Sequence, residues 1–255
     1  YEHFATDTAP GHAALFTGRW PSETGIVQNE VIDGAGNFVS ILKDEGTHLV
    51  STEGALNATG ASSRRLRAPT VADRLRSREP SARIVGLSLK DRGTLIPTGK
   101  ACNVCLWFDA GQDRFVTSTA IAPSMPAWAN IGSHDAIVKK RETPWAPLDA
   151  EWLDTHALTA DAQEGEGDLA SLGTTFPHRA TNGKAFRATP LSDEVLIDLA
   201  VRAIDNEHPR LLTLSLSAHD MISHTFGPDS REAFDELLRL DRSLANLFTQ
   251  LDRRY

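Results

Sequence analysis

The chain has 255 residues, of which 40% are hydrophobic and 24% are charged, a composition that excludes an intrinsically disordered protein and leaves room for a sizeable core. Its net charge of -8 and sequence pI of about 5.6 argue against a nucleic-acid-binding surface, because a phosphate backbone requires a basic stripe on its partner. No apolar run approaches the roughly 18 residues of a membrane span, so a globular protein remains.

The predicted elements alternate between helices and strands along the chain. The first is a short helix over residues 10–18 that opens at Thr8, with a proline just inside its start and a glycine at its end. Residues 19–67 are rich in Gly, Ser, Thr and Asn, and we expect them to be mostly loop. The later predictions are a helix over 69–78, a buried strand over 83–89, a hairpin of 104–108 with 114–119, a helix over 191–206 and a buried strand over 210–216.

The last predicted element is a long C-terminal helix. Asp229 and Glu232 form a capping-box pattern at its start, and its apolar residues recur with a helical period. Strands that alternate with helices predict an α/β fold with a largely parallel sheet.

Cys102 and Cys105 form a C-x-x-C pair, which can be a redox couple or half of a zinc site. No second pair of this kind follows, so a structural zinc site lacks ligands. The flanking residues are typical of a strand, in which side chains three positions apart point to opposite faces. The pattern therefore predicts two buried, inert thiols.

Chemistry in α/β sheets collects where strands end and helices begin, and one such place is Thr8. Thr8 is either an ordinary helix cap or a nucleophile whose oxyanion is stabilised by the free backbone N–H groups of the helix start. His12 lies one turn further on, and we expect it to be a hydrogen-bonded packing residue rather than a metal ligand.

Two further groups of polar residues follow buried strands. Lys90 and Arg92 form either a solvated basic turn or a two-cation clamp for phosphate oxygens. Asp220 and His224 are four positions apart, so on a helix their carboxylate and imidazole can meet one cation. His219 adjoins them, and we expect it to face solvent or to support a ligand.

The combination and order of these motifs resemble the zinc-dependent alkaline phosphatase superfamily. Within it, the chain is most similar to the bacterial monomeric phosphate-irrepressible alkaline phosphatases that use a threonine nucleophile. The motifs are T-A-P-G-H at 8–12, L-F-T-G at 15–18, S-E-T-G-I-V-Q-N at 22–29, L-K-D-R at 89–92, W-F-D at 107–109, D-M-I-S-H-T-F-G-P at 220–228 and L-L-R-L-D at 237–241. The resemblance implies a three-layer α/β sandwich with a mostly parallel central sheet.

The resemblance also implies a role for each matching residue. Thr8 matches the nucleophile that becomes phosphothreonine, and Asn29 matches an amide that contacts a non-bridging phosphoryl oxygen. Lys90 and Arg92 match the pair that separates monoesterases of this subgroup from related diesterases. A monoester dianion carries one more charge than a diester, so these cations favour it selectively.

The implied cofactors are two zinc ions that flank the phosphoryl transfer. Asp220 and His224 match two ligands of the zinc ion that serves the second step, and Thr8 matches a residue that binds metal through its hydroxyl. The expected activity is therefore an alkaline phosphatase that hydrolyses small-molecule phosphate esters by double displacement. Family members are monomers and are exported to the periplasm or secreted, so we expect the same here.

The rest of the family's metal-ligand pattern has no counterpart in the chain. An aspartate would precede Tyr1, and an Asp–His pair and a distal histidine would follow Tyr255. We therefore expect an interior piece of a longer protein, which by itself binds zinc poorly and is inactive.

The expected organisation has three parts. Residues 1–139 form the first part of the catalytic domain, with the nucleophile and the Lys/Arg clamp. Residues 140–190 form a cap or insertion. Residues 191–255 continue the catalytic domain, with the metal-ligand strand end and its helix.

Three other functions are considered at this point, and the sulfatase is discounted. A phosphodiesterase or nucleotide pyrophosphatase of the same superfamily shares Thr8, Asn29 and the metal pattern, although Lys90 and Arg92 argue against it. A sulfatase requires a cysteine or serine in C/S-x-P-x-R, which this chain lacks at Thr8. A non-catalytic binding protein on the same fold is the third alternative.

Overall fold

The structure is a computed structural model that describes residues 6–157 and 159–255. The strands are β1 (Glu30–Ile32), β2 (Phe38–Ser40), β3 (Lys43–Ser51), β4 (Gly54–Ala61), β5 (Ile84–Ser88), β6 (Val104–Asp109), β7 (Arg114–Ser118) and β8 (Leu211–Ser215). The helices are α1 (Thr8–Thr17), α2 (Pro21–Thr24), α3 (Val71–Arg78), α4 (Asp91–Thr98), α5 (His134–Arg141), α6 (Ala150–His156), α7 (Gly183–Phe186), α8 (Pro190–Glu207), α9 (Ala218–Phe226) and α10 (Arg231–Asp252), with two short 3-10 helices at Ala127–Gly132 and Leu169–Ser171. None of the helices in these ranges has the length and apolar character to span a bilayer.

The main sheet has six strands in the order β4-β3-β7-β6-β5-β8, and β1 pairs with β2 in a separate hairpin. β5 runs parallel to both β6 and β8, whereas β6–β7, β7–β3 and β3–β4 are antiparallel. The expected α/β fold is confirmed. The sheet in the described part of the chain is mixed, because the hairpins β3–β4 and β6–β7 add antiparallel strands beside the parallel ones.

The prediction that residues 19–67 are mostly loop is wrong. This region contains α2, the β1–β2 hairpin and the two long strands β3 and β4. β4 is poor in β-branched residues and largely exposed at the sheet edge, so its sequence carries little strand signal. Its pairing with β3 is a tertiary effect, which overrides the weak local preference.

Two helical layers cover the two faces of the sheet. The side chains of β6 alternate, so that Leu106 and Phe108 pack among residues of α8, α9 and α10, whereas Cys105 and Trp107 pack among residues of α1 and α4. Full burial of a side chain such as Phe108 contributes about 1.5–3 kcal/mol to stability. The result is the three-layer sandwich implied by the sequence resemblance.

Cys102 and Cys105 form a disulfide, so the prediction of two inert thiols is wrong. Their Cα atoms are 6.2 Å apart, within the range that a disulfide spans. The strand argument fails because β6 begins only at Val104, which leaves Cys102 in the turn before it.

The segment over residues 140–190 contributes to the main core as well as to the surface. Trp145 and His178 pair through two backbone hydrogen bonds of 2.9 Å, and both side chains are buried. Whether this segment acts as a cap over the site stays a prediction.

The start of α10 also differs from its predicted capping box. Ser230 is the N-cap, and its side chain accepts a hydrogen bond from the Ala233 N–H group. Glu232 instead turns inward, where its Oε1 atom lies 2.9 Å from Nε2 of the buried His178. The sequence pattern could not distinguish these roles, because it depends on spacing and not on which face of the helix is buried.

Glu236 on α10 gives the fold an expected dependence on pH. Its side chain is buried, and its Oε2 atom has no hydrogen-bond partner among the described residues. Burial raises its pKa from 4.5 to about 9, and repulsion by Asp193 and Asp235 adds to the shift. Because the folded-state pKa lies above the unfolded value, the contribution of Glu236 to stability is greatest below pH 4.5 and is lost as the pH rises to about 9.

We therefore expect Glu236→Gln to raise the free energy of unfolding by about 1–3 kcal/mol at pH 8, because Glu236 must bind a proton on folding at this pH and glutamine need not. The gain should shrink as the pH falls toward 4.5, which denaturant melts across this range would show. Exposed Glu164 provides the matched control, Glu164→Gln. Parallel stability curves for wild type and Glu236→Gln would contradict the prediction.

Candidate active site

Thr8 is the first residue of α1, and Asp7 occupies the N-cap position. The expectation that Thr8 is itself the cap is therefore wrong by one residue. Asp7 makes no side-chain capping hydrogen bond, and helix starts leave backbone N–H groups without helical partners. Thr8 is half-buried at the positive end of the helix dipole, so its position fits a nucleophile.

Asn29 is held against the same helix start. The Ala9 N–H group donates a hydrogen bond of 2.8 Å to Oδ1 of Asn29. Because this bond uses Oδ1, the Nδ2 group of Asn29 can act as a donor. The structure thus brings together two residues that lie 21 positions apart in sequence.

His12 is hydrogen-bonded as the sequence predicts, through Nδ1 to the Thr8 carbonyl oxygen at 2.8 Å. Burial lowers its pKa, the bond to Thr8 opposes this shift, and the nearby cations Lys90 and Arg92 add to it. The ring is therefore favoured in its neutral form, and it lines the candidate site rather than only packing in the core.

Lys90 and Arg92 lie at the junction of β5 and α4. Lys90 is at the N-cap of α4 and is only 8% exposed. Gly93 permits the tight junction, because a Cβ atom there would lie 2.2 Å from Oγ of Ser88 and 2.9 Å from Oγ of Ser215.

Asp220 comes to the same edge of the sheet because β5 and β8 are parallel neighbours, with Ser88 in register with Ser215. The Nζ atom of Lys90 makes an ion pair with Oδ2 of Asp220. Partial burial acts to raise the pKa of Asp220, but the hydrogen bond and charge of Lys90 outweigh it and hold the pKa below its usual value. Asp220 is therefore ionised at neutral pH.

Part of the predicted site lines one cavity of about 440 Å³. Thr8, Lys90 and Asp220 all line it, together with His12 and Ser217. Asn29, Arg92 and His224 are not among its lining residues. Asn29 bonds Ala9, which follows Thr8 in the chain, Arg92 lies two positions after Lys90, and His224 lies 3.6 Å from Asp220. The structure therefore brings the first three together directly and places the others beside them.

Arg187 adds a third cation that the sequence analysis missed. Burial and the nearby charge of Arg92 lower the pKa of Arg187. The carboxylates of Asp109, Asp91 and Asp220 oppose this shift, so Arg187 lies close enough to Arg92 and Asp220 to interact with their charges. Nε of Arg187 and Nε of Arg92 are both buried without a hydrogen-bond partner among the described residues. No sequence motif marks Arg187, because it follows the four-residue helix α7 far from the other cations in sequence.

Asp220 and His224 fit a zinc ion chemically and geometrically. Oδ1 of Asp220 lies 3.6 Å from Nε2 of His224, close enough for both atoms to bind one ion at usual zinc–ligand lengths. Within residues 6–157 and 159–255, no set of three or more His, Cys, Asp or Glu side chains is arranged to hold a metal. His219 makes a 3.3 Å contact with Oγ of Ser223 through Nε2.

Comparison with known proteins places these observations in a family. The family model of type I phosphodiesterases and nucleotide pyrophosphatases matches residues 1–255. Alkaline phosphatase PafA from Elizabethkingia meningoseptica is 33% identical over 99% of this chain and 49% of its own length.

Solved structures agree with the sequence comparison. The crystal structure of wild-type PafA superimposes with a TM-score of 0.88 at 33% identity, covering 98% of this chain and 51% of PafA. A PafA mutant with substitutions at one threonine, one asparagine, one lysine and one arginine gives 0.88 at 31% identity, over 99% of this chain and 52% of the other. The chain thus spans about half the length of the relatives it matches. It belongs to the type I phosphodiesterase and nucleotide pyrophosphatase family and has an alkaline phosphatase-like fold.

Proposed function

We propose that the protein is a phosphate monoester hydrolase of the alkaline phosphatase type. The observation that carries this proposal is the shared cavity, in which a helix-terminal hydroxyl, a buried ammonium and a carboxylate meet at Thr8, Lys90 and Asp220. A nucleophile, a cation for phosphate and a metal ligand are the parts that phosphoryl transfer requires. The similarity to alkaline phosphatase PafA supports the same chemistry.

The reaction proceeds in two displacements. In the first, Oγ of Thr8 forms a bond to phosphorus while the ester P–O bond breaks and the alcohol departs. In the second, water attacks the phosphorus of phosphothreonine, Oγ of Thr8 departs, and inorganic phosphate is released. The N–H groups at the start of α1 stabilise negative charge on the transferring group in both steps.

Lys90 and Arg92 give the site its preference for monoesters. Lys90 supplies a point charge and Arg92 a planar fork, and both interact best with the dianion of a monoester. Asn29, which the hydrogen bond from the Ala9 N–H group holds at the start of α1, supplies an uncharged donor.

The PafA mutant supports these four assignments. Its substituted threonine and asparagine are 21 positions apart, and its lysine and arginine are two apart. Thr8 and Asn29 here have the first spacing, and Lys90 and Arg92 have the second. The agreement in residue type and spacing supports the same four residues as the substrate-contacting set.

Two zinc ions are the proposed cofactors. Zinc in such a site lowers the pKa of bound water and stabilises the charge that develops on the attacking and leaving oxygens. Asp220 and His224 would hold one ion, and the Thr8 hydroxyl would contact the other. The described residues hold no set of three or more such ligands, so the two ions require ligands beyond this set.

A phosphodiesterase or nucleotide pyrophosphatase is the second candidate, because the matching family model carries that description. Thr8, Asn29 and the metal ligands would serve either reaction. The two added cations, Lys90 and Arg92, favour the monoesterase. The relative rates with the two kinds of ester therefore separate the candidates.

We also propose that the protein works as a monomer in an oxidising compartment, the periplasm or the exterior. The Cys102–Cys105 disulfide supports the oxidising compartment, because disulfides persist outside the reducing cytosol. The monomer is proposed from the family resemblance alone.

Metal removal tests the proposed cofactor. We expect a chelator to abolish hydrolysis of an aryl phosphate monoester by the full-length protein, and added zinc to restore it, because both displacements need charge stabilisation. Magnesium and calcium, added separately, serve as controls. Full activity after exhaustive chelation, with zinc shown to be absent by elemental analysis, would contradict the proposal.

A further inference from the structure

The helix that carries the proposed zinc ligands begins without a cap of its own. Ser217 is the N-cap of α9, yet its side chain makes no capping hydrogen bond. An uncapped helix start leaves backbone N–H groups to be satisfied by other partners. In this buried part of the molecule such partners must come from another element.

Asp193 on α8 supplies them. Its Oδ1 atom accepts a hydrogen bond of 3.1 Å from the Ser217 N–H group, and its Oδ2 atom accepts one of 3.1 Å from Ala218. The residue is 3% exposed, and no other hydrogen bond to its carboxylate occurs among the described residues. Both carboxylate oxygens of Asp193 thus accept hydrogen bonds from the start of α9.

The two bonds fix the orientation of the helix start as well as its position. A single hydrogen bond allows the turn to rotate about the bond axis, whereas two bonds to successive N–H groups hold it. Asp220 follows Ala218 by two residues, and His224 lies one further turn along. The rotation of this turn about the helix axis therefore determines the directions in which the side chains of Asp220 and His224 point.

An ionised Asp193 carboxylate is suited to capping the start of α9. Burial raises its pKa to about 6, and the bonds from Ala218 and Ser217 oppose the shift. Above that pH the carboxylate is ionised, so both oxygens act as acceptors, and a negative charge at a helix start is favoured by the dipole. An amide at this position would offer only one acceptor.

We propose that Asp193 is a positioning residue for the zinc site, which caps α9 from a neighbouring helix and holds Asp220 and His224 in a binding arrangement. The inference rests on the proposed function, because it takes these two residues as zinc ligands. Groups that orient metal ligands typically affect metal affinity 10–100-fold.

The test measures zinc affinity rather than turnover, with a chromophoric chelator in competition with the full-length protein. Asp193→Asn should raise the zinc dissociation constant by about 10-fold or more. Asp235→Asn is the matched control, because Asp235 is equally buried and accepts 2.6 Å bonds from Trp145 Nε1 and the Leu148 N–H group. It should lower thermal stability but change zinc affinity less than about twofold.

A spectroscopic readout adds to the affinity measurement. Cobalt(II) in place of zinc should give a visible spectrum that changes in Asp193→Asn and not in Asp235→Asn. If Asp193→Asn does not fold, Asp193→Glu keeps the charge and both acceptors but displaces them by one methylene. That variant should still weaken zinc binding at least threefold.

The outcomes separate this inference from the proposed function. Wild-type protein that binds zinc tightly, with unchanged affinity in the Asp193 variants, would overturn the inference alone. An equal loss in Asp235→Asn would also overturn it, because the effect would then be general destabilisation. Wild-type protein that binds no zinc would overturn both.

Discussion

Replacing Thr8 with alanine should reduce kcat/KM for a phosphate monoester by at least about 10³-fold, because the reaction loses the oxygen that receives the phosphoryl group. Thr8 is the first residue of α1 and lines the cavity, so its hydroxyl lies at the positive end of the helix dipole. Binding of phosphate should change far less than turnover, since the cations at the site remain. Steady-state kinetics with the full-length protein measure both quantities.

Thr8→Ser and Thr17→Ala are the controls for this prediction. Serine keeps the hydroxyl and should retain most of the activity. Thr17 lies at the far end of the same helix, where its hydroxyl bonds the Ala13 carbonyl, so its loss should leave kcat/KM nearly unchanged. Activity of Thr8→Ala within 10-fold of the wild type would rule out Thr8 as the nucleophile.

Loss of the Lys90 and Arg92 side chains should remove the preference for monoesters. We expect Lys90→Ala and Arg92→Ala each to lower kcat/KM for the monoester by about 10²-fold, and for the matching diester by less than about 10-fold. The difference arises because the diester lacks the second negative charge. The measured quantity is the ratio of the two rate constants in each variant.

Lys100→Ala is the matched control, because Lys100 is an exposed cation just beyond the opposite end of α4. It should leave the ratio unchanged. Because Lys90 also pairs with Asp220, Arg92→Ala is the cleaner of the two variants. An equal fall in kcat/KM for both esters in Arg92→Ala would mean that this cation does not discriminate between substrates by their charge.

The sequence predicts the parts of the fold that depend on local pattern. The buried strands β5 and β8, the β6–β7 hairpin and the helix α8 lie where apolar periodicity puts them. The strands β3 and β4 escape prediction because cross-strand pairing, and not their composition, holds them in the sheet.

The candidate site likewise contains residues that the sequence predicts and residues that it does not. Thr8, Lys90 and Asp220 follow recognisable motifs, and they line one cavity as the motifs suggest. Asp193 and Arg187 follow none, because their importance comes from contacts between elements that are distant in sequence. The Cys102–Cys105 disulfide was missed because strand geometry was applied to Cys102, which lies before β6.

The central claim is tested most directly by the ratio of kcat/KM for an aryl phosphate monoester to that for the matching diester, measured with the zinc-loaded full-length protein. We predict a ratio well above one that falls in Arg92→Ala. A ratio below one would contradict the monoesterase and favour the phosphodiesterase. Turnover of neither ester with zinc bound would mean that the protein binds phosphate compounds without hydrolysing them.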